Sequence, residues 1–482
     1  MGRAKTIATL GPASSSQEII EKMIEAGLDA VRINMSHGNT DEHSKRIGVA
    51  RAAAEKLGRP LAVLVDLSGP KIRTGVLRES KPVILARGSQ FVLTARDVEG
   101  SASEVSTNYK EIPKLVRPLD KILLDDGAIE LRVIAVTESD VVTEVVDGGV
   151  LSERKGINLP NTKLPIPSLT EKDRRDLEWA MTQDVDYIAL SFVREGKDCA
   201  EVRELIKKMN TRKFGRPMLV AKIEKAEAIE NLDDILNETD GVMVARGDLG
   251  VETSAELVPV YQKRIIEKAV AVDKFVITAT QMLQSMIDSP RPTRAEASDV
   301  ANAVWDGTDA VMLSAETASG KYPVESVETM ERIITTAESV KTTKLSRQIK
   351  FSEDPTGRTS QAICKAAAIC AQEMLTEKVA VFTESGLMAR RLSSIRSGLS
   401  TFALTNTREV YNQLSMIWGV EPLRHEMAST TEQMLSDGEK TLLTARVVEK
   451  GETIVMMAGR LSGLGLSSSV VVWTIGEDVA KR

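Results

Sequence analysis

Along roughly the first 340 residues, short apolar runs rich in Val, Ile, Leu and Ala alternate with longer stretches whose apolar positions recur at i, i+3 and i+4. The runs are "TIATL" (6–10), "AVRINMS" (30–36), "LAVLVDL" (61–67), "DYIALSF" (186–192), "MLVAKIE" (218–224), "GVMVARG" (241–247), "FVITATQ" (275–281) and "AVMLSAE" (310–316). Of the stretches between them, "SQEIIEKMIEAG" (16–27) has helical periodicity, and "TEKDRRDLEWAM" (170–181) opens on Thr170 as an N-cap with acids in its first turn. Eight strand–helix units predict a (β/α)8 TIM barrel, which needs roughly 250 residues.

The beat breaks twice. Between the third and fourth runs, residues 70–168 show no convincing helix: "VILARGSQFVLTA" (83–95) and "IELRVIAVTESDVVTEVV" (129–146) alternate like strands, with "DDG" (125–127) and "DGG" (147–149) as turns. This predicts a small all-β domain inserted at the C-terminal end of a barrel strand, placed to close over the mouth as a lid. After residue 345, "KVAVFTESG" (378–386), "LSTFALTN" (399–406), "ETIVMMAG" (452–459) and "SVVVWTIG" (469–476) read as strands of a separate α/β domain with a mostly parallel sheet. The expected division is 1–69 with 169–345 for a discontinuous barrel, 70–168 for the lid and 346–482 for the tail domain. The Gly/Ser-rich "GRLSGLGLSSS" (459–469) reads from composition as a surface connection.

Composition narrows the class. With only 3% aromatic residues, the cores must be built from aliphatic side chains and Met. The formal charge of −6 is well mixed, so no basic face announces nucleic acid and no polybasic run a membrane. Three cysteines and three histidines offer neither a disulfide framework nor a zinc cluster. The chain is expected to be a cytoplasmic metabolic protein.

Strand residues two apart share a face, so parity selects the inward polar positions. It selects Arg32, Asn34 and Ser36 on the second run, Lys222 and Glu224 on the fifth, Arg246 and Asp248 on the sixth, and Thr278 and Thr280 on the seventh. Asp66 matches them on the third. All fall at or beyond the C-terminal strand ends, where this fold builds its active sites. Glu224 and Asp248 are hard oxygen ligands suited to Mg²⁺. Lys222 is placed to stabilise charge developing on a reacting oxygen, and Arg32 and Arg73 are phosphate donors. The amides of Gly247 and Asp248 are placed to receive a carboxylate. With no P-loop and no G-x-S-x-G elbow in the chain, the residues by themselves point to metal-assisted chemistry on a phospho- or oxo-acid.

Longer motifs sharpen this. "ATLGPAS" (8–14), "RINMSHG" (32–38), "GPKIRTG" (69–75), "KGINLP" (155–160), "AKIEKAEAIENLDDI" (221–235), "DGVMVARGDLGVE" (240–252), "ATQMLQSM" (279–286) and "PTRAEASDVANAVWDGTDAVMLSAETASGKYP" (292–323) resemble pyruvate kinase, in order and over essentially the whole chain. The resemblance implies a TIM barrel, an inserted β-barrel lid and a C-terminal α/β domain. It implies phosphoryl transfer from phosphoenolpyruvate to ADP, giving pyruvate and ATP, with Mg²⁺ (or Mn²⁺) held by Glu224 and Asp248. Lys222 then steadies the phosphoryl group and enolate, Thr280 lies near the face where the enolate is protonated, and Arg32 and Arg73 bind phosphate. Asn34, His37 and Lys155 fall where the family contacts nucleotide, and Gly247 and Asp248 cradle the substrate carboxylate. A homotetramer is implied by family alone.

Two departures matter. The commonest family form has Thr-Lys after the aspartate and Glu after Gly-Pro, where this chain has Leu67, Ser68 and Lys71. Members with Glu there need K⁺, bound at positions matching Asn34, Ser36, Asp66 and the Leu67 carbonyl. Members with Lys resemble a K⁺-independent branch, so K⁺ is expected not to be required and its site to be vestigial or optional. In the tail domain, Thr383, Ser385, Gly386 and the loop 459–469 resemble effector phosphate-binding segments, but Leu387 replaces the basic residue that often follows, which argues against a bisphosphate. Rival readings are a metal-dependent aldolase on a similar barrel and a catalytically inactive effector-binding protein.

Overall fold

The computed structural model describes residues 2–160, 162, 165–340, 354–426, 428, 430–458 and 469–477. Eight parallel strands close a barrel: Lys5–Thr9, Ala30–Asn34, Ala62–Asp66, Tyr187–Leu190, Met218–Ile223, Gly241–Ala245, Phe275–Ala279 and Ala310–Leu313. Closure is made by the first strand, which pairs with the second (Ile7 opposite Ala30) and the eighth (Lys5 opposite Ala310). Alternation decides what each strand contributes. On the third strand Val63 and Val65 pack under the helices, whereas Ala62 and Leu64 fill the barrel with Ile7, Tyr187, Met243 and Met312. The barrel is therefore a solid plug of side chains, and chemistry is confined to its ends.

The lid has its own core of Phe91, Leu93, Leu131 and Val133. Its strands form a six-stranded sheet and a separate two-stranded pair, Val83–Leu85 with Gly149–Leu151. The "DDG" turn joins Lys121–Leu124 to Ile129–Val136 through three left-handed residues, Asp125, Asp126 and Gly127. One helical turn, Ile112–Leu115, lies in this stretch where the pattern showed none. A buried contact ties lid to barrel: Asn158 Nδ2 donates to Glu252 Oε1 (2.8 Å), which also takes Lys225 Nζ (2.8 Å).

The tail sheet has five strands, parallel except for the last, Ser469–Thr474, which runs antiparallel to Thr453–Ala458. A strand that the sequence reading did not include is Val420–Arg424, which contains Pro422. Among the described residues it is an edge strand paired only with Ser400–Thr405, where the missing N–H faces away from the ladder. The tail domain packs on the N-terminal end of the barrel. Tyr187 hydroxyl donates to the Gln413 carbonyl (2.6 Å), and Arg396 pairs with Asp309 (3.0 Å). The lid and tail thus occupy opposite ends of the barrel. No helix among the described residues is long and apolar enough to cross a membrane.

Candidate active site

At the C-terminal end of the barrel, the inward positions of the second, third, fourth and fifth strands converge. Lys222 Nζ lies 2.8 Å from Glu224 Oε1, 3.3 Å from Asp66 Oδ1 and 2.8 Å from Ser191 Oγ. Arg32 reaches Asp66 from the other side, with Nε and Nη2 at 2.8 and 2.7 Å from Oδ2, and its Nη1 donates to Thr9 Oγ1 (3.1 Å). Glu224 Oε2 accepts the Phe192 N–H (2.7 Å), which Phe192 presents by adopting φ of 54°.

The charges tune one another. Burial opposes the Lys222 ammonium, yet Asp66 and Glu224 outweigh it and hold its pKa above the ordinary lysine value. Burial likewise opposes the Asp66 carboxylate, but Lys222 and Arg32 pull its pKa below normal. Glu224 goes the other way, because burial and the Asp248 charge together exceed what Lys222 offsets. A carboxylate repelled by a neighbouring carboxylate has the chemistry of a divalent-cation site whose natural relief is the cation itself.

Parity succeeded on the second, third and fifth strands and failed on the sixth and seventh. The sixth strand ends at Ala245, and the next residues form the short helix Arg246–Glu252. Asp248 in its first turn lies 3.7 Å from Lys71 Nζ, but Arg246 turns beneath the site. Its guanidinium donates to the carbonyls of Ala279 (3.2 Å) and Thr280 (2.7 Å) and to Asp299 (2.7 Å). On the seventh strand Ile277 and Ala279 face inward and the strand ends at Ala279, so Thr278 and Thr280 do not share an inward face as expected. Thr278 is buried on the helix side, with Oγ1 donating to Thr308 Oγ1 (3.0 Å). Thr280 swings into the left-handed region at φ of 69°, costly for a β-branched residue. It is held there by the Gly247 N–H donating to its Oγ1 (2.8 Å), by its own hydroxyl donating to the Ala279 carbonyl (2.7 Å), and by Arg246. The Gly247 amide, expected to cradle a carboxylate, is here bonded to Thr280.

Ser191 was missed. Its Oγ accepts from Lys222 and donates to the Leu67 carbonyl (2.7 Å). The signal was present, since Ser191 shares parity with the inward Tyr187 and Ala189 of the fourth run.

Lid residues complete the rim. Lys71 Nζ lies 3.6 Å from Asp126 Oδ1 of the lid and 3.7 Å from Asp248 Oδ1 of the barrel. Lys155 pairs with Asp125 (2.9 Å), and Arg73 Nη1 donates to the Arg154 carbonyl (3.1 Å). His37 is exposed to solvent, and partial desolvation together with the charges of Arg73, Arg32 and Lys71 lowers its pKa. Asn34 Oδ1 accepts the Ser36 N–H (3.1 Å). In the tail domain, Thr383 is buried and its Oγ1 accepts the Gly386 N–H (2.9 Å), while Ser385 and Leu387 are exposed. Residues 459–468 of the expected effector loop lie outside the described residues.

A closed barrel with a solid core, a cation-rich mouth and a carboxylate pair at its C-terminal end defines an enzyme that handles a small anionic substrate by electrostatics. Two family models, described as the pyruvate kinase barrel domain and the pyruvate kinase alpha/beta domain, match residues 1–327 and 361–472. A pyruvate kinase of Methylorubrum extorquens is 42% identical over all of this chain and 99% of its own length, and one of Bacillus licheniformis is 41% identical over all of this chain and 82% of its own. A crystal structure of a pyruvate kinase from Cryptosporidium parvum superposes with a TM-score of 0.88 at 33% identity, covering 98% of this chain and 96% of that one. The chain belongs to the pyruvate kinase family. Its reaction is phosphoryl transfer from phosphoenolpyruvate to ADP, assisted by a divalent metal, and the aldolase reading is set aside.

Proposed function

We propose that the mouth cluster carries this transfer with a specific division of labour. The observation behind it is the buried Lys222 ammonium, within 2.8–3.3 Å of Glu224, Ser191 and Asp66 at one barrel end. Held charged by its two carboxylates, Lys222 faces the phosphoryl group and the enolate oxygen, where fixed positive charge lowers the barrier most. Glu224 and Asp248 would hold Mg²⁺, or Mn²⁺ in its place. Held there, the ion would supply positive charge to offset that of the anionic substrate. Arg32, kept in place by Asp66 and Thr9, and Arg73 from the lid bind phosphate. Thr280, fixed in its strained conformation, stands at the face where the enolate is protonated. The amides of Gly247 and Asp248 orient the carboxylate, with the Gly247 N–H shared with Thr280. Asn34, His37, Arg73 and Lys155 contact the nucleotide.

Lys71 makes K⁺ unnecessary. Its ammonium lies near Asp248 at the site's edge. The oxygens that a K⁺ ion would use are already engaged: the Leu67 carbonyl by Ser191, Asn34 Oδ1 by the Ser36 N–H, and Asp66 by Arg32 and Lys222. A coupled pyruvate-formation assay tests both claims. Near-full activity is expected with tetramethylammonium as the only monovalent cation, and Lys71→Glu should lose about tenfold or more until K⁺ is added. A large drop of the unaltered enzyme without K⁺ would overturn the role of Lys71, and no ADP-dependent pyruvate would overturn the whole reading. The domain division given above, a cytoplasmic homotetramer, and an effector phosphate at Thr383, Ser385 and Gly386 are parts of the same proposal.

A further inference from the structure

After the lid the chain re-enters the barrel through the helix Glu171–Thr182, and the first turn of this helix is bonded to two other segments. Lys172 donates from Nζ to the Met35 carbonyl (2.9 Å), to Ser68 Oγ (3.1 Å) and to Asp176 Oδ2 one turn further on (2.5 Å). An ammonium has three N–H groups, and these partners engage all of them. Beside it, Asp173 Oδ1 accepts the Gly69 N–H (3.1 Å), while its other oxygen takes the N–H and hydroxyl of Thr170 (3.1 and 2.5 Å) and so fixes the cap. Ser68 and Gly69 are the root by which the chain leaves the third strand for the lid. That root has no room to slide. Gly69 is left-handed at φ of 68°, and a Cβ there would stand 2.6 Å from the Phe192 ring and 2.8 Å from Ser191 Cβ. Met35 is the first residue past the second strand and opens the turn that carries Ser36 and His37.

We propose that Lys172 is a positioning residue for the phosphoryl acceptor: it pins the turn after the second strand to the root of the lid, resting on the nucleotide contacts of Asn34 and His37 proposed above. The Lys172 side chain is 52% exposed, and an ion pair so open to water adds little to stability. Its effect is geometric. The ladder between the second and third strands ends where Asn34 pairs with Asp66, and the turn lies beyond it. Lys172 gives the Met35 carbonyl a donor from outside the sheet, on a helix that starts where the lid ends. Asp176, with its side chain only 10% exposed, holds the ammonium over both segments. Lid root and nucleotide turn thus share one anchor, and a displacement of the root is passed to Asn34 and His37.

Steady-state kinetics and hydrogen exchange of the full-length enzyme test this together. Lys172→Met should raise KM for ADP by about tenfold, the loss expected of a charge-assisted hydrogen bond. KM for phosphoenolpyruvate should hold, and kcat at saturating ADP should fall far less. Lys172→Arg should recover part of the loss. With no substrate present, amide exchange in Lys172→Met should quicken at both 34–38 and 67–69 while the barrel strands stay protected. A raised KM for ADP with exchange unchanged would place the Lys172 charge on the nucleotide itself and overturn the positioning role. An unchanged KM for ADP, or equal rises for both substrates, would overturn it too. Asn34→Ala separates this role from the nucleotide contacts beneath it. If that variant leaves KM for ADP unchanged, the contacts fail and the role of Lys172 fails with them. If it raises KM while Lys172→Met does not, the contacts stand and the role of Lys172 alone is refuted.

Discussion

Asp66 and Asp186 are both enclosed carboxylates beside an arginine, one ending the third barrel strand and the other just preceding the fourth. Asp66 is met by two cations, Arg32 and Lys222, which overcome burial and lower its pKa. Asp186 has Arg51 (2.6 Å) and the Val63 N–H (2.8 Å) on one oxygen, while its other oxygen has no hydrogen-bond partner among the described residues. There burial prevails over Arg51, Asp184 adds repulsion, and the pKa is raised. The same residue type at opposite ends of one barrel therefore serves different ends. The upper cluster balances Arg32 and Lys222 against Asp66 and Glu224 at the end where the substrate is handled. The lower one satisfies itself just enough to seat the tail domain.

Replacing Lys222 by Met should break this contrast most sharply. We expect kcat to fall by about a thousandfold, as for loss of a preorganised charge that acts in the transition state, with phosphoenolpyruvate binding far less affected. Steady-state kinetics at saturating ADP would show it; a change mainly in KM would place Lys222 in ground-state binding instead. Asp186→Ala is the counterpart at the lower end. It should cost about 3 kcal/mol of unfolding free energy, the low end for a broken buried pair because Asp184 still lies 3.1 Å from Arg51 Nε. The folded fraction should keep its kcat.

Acid titration sharpens the comparison further. A carboxylate with a lowered folded pKa contributes stability above its unfolded value, near pH 4, and loses it as pH falls toward the folded pKa. Asp66→Asn should therefore flatten the acid-side decline of the melting temperature. Asp186, with its raised folded pKa, makes the opposite contribution, since the folded state takes up the proton first as pH falls. Asp186→Asn should steepen the same decline; a change of slope in the same direction in both variants would contradict the assigned charges. The smallest effect is expected for Tyr187→Phe, which leaves the Gln413 carbonyl without its donor. It should cost about 1 kcal/mol with no change in rate, measured by denaturant titration.

What the sequence disclosed follows from the same geometry. Period-2 alternation identified Arg32, Asp66, Lys222 and Glu224 because regular strand carries that pattern to the barrel rim or one residue beyond. It misplaced Arg246, which lies past the end of its strand at Ala245, and Thr278, which lies between the inward Ile277 and Ala279. Ser191 was legible by parity and was passed over. The lower-end pairs were not legible at all. Arg51 with Asp186 spans 135 residues, and no local pattern ties such partners together. Lys71 stood out from its motif, but its position between Asp126 and Asp248 depends on how the lid docks.

That docking has a consequence for how the enzyme responds to its medium. The contacts between lid and barrel include a dry one, Asn158 with Glu252 and Lys225, and a wet one, Lys71 between Asp126 and Asp248. Dissolved ions screen charges that water can reach and leave buried ones nearly untouched; the screening length falls from about 10 Å at 0.1 M to about 3 Å at 1 M. Rising ionic strength therefore loosens the outer contact while the inner one holds. In brine the lid would swing about Asn158 as a door on its pin, and would not come away from the frame.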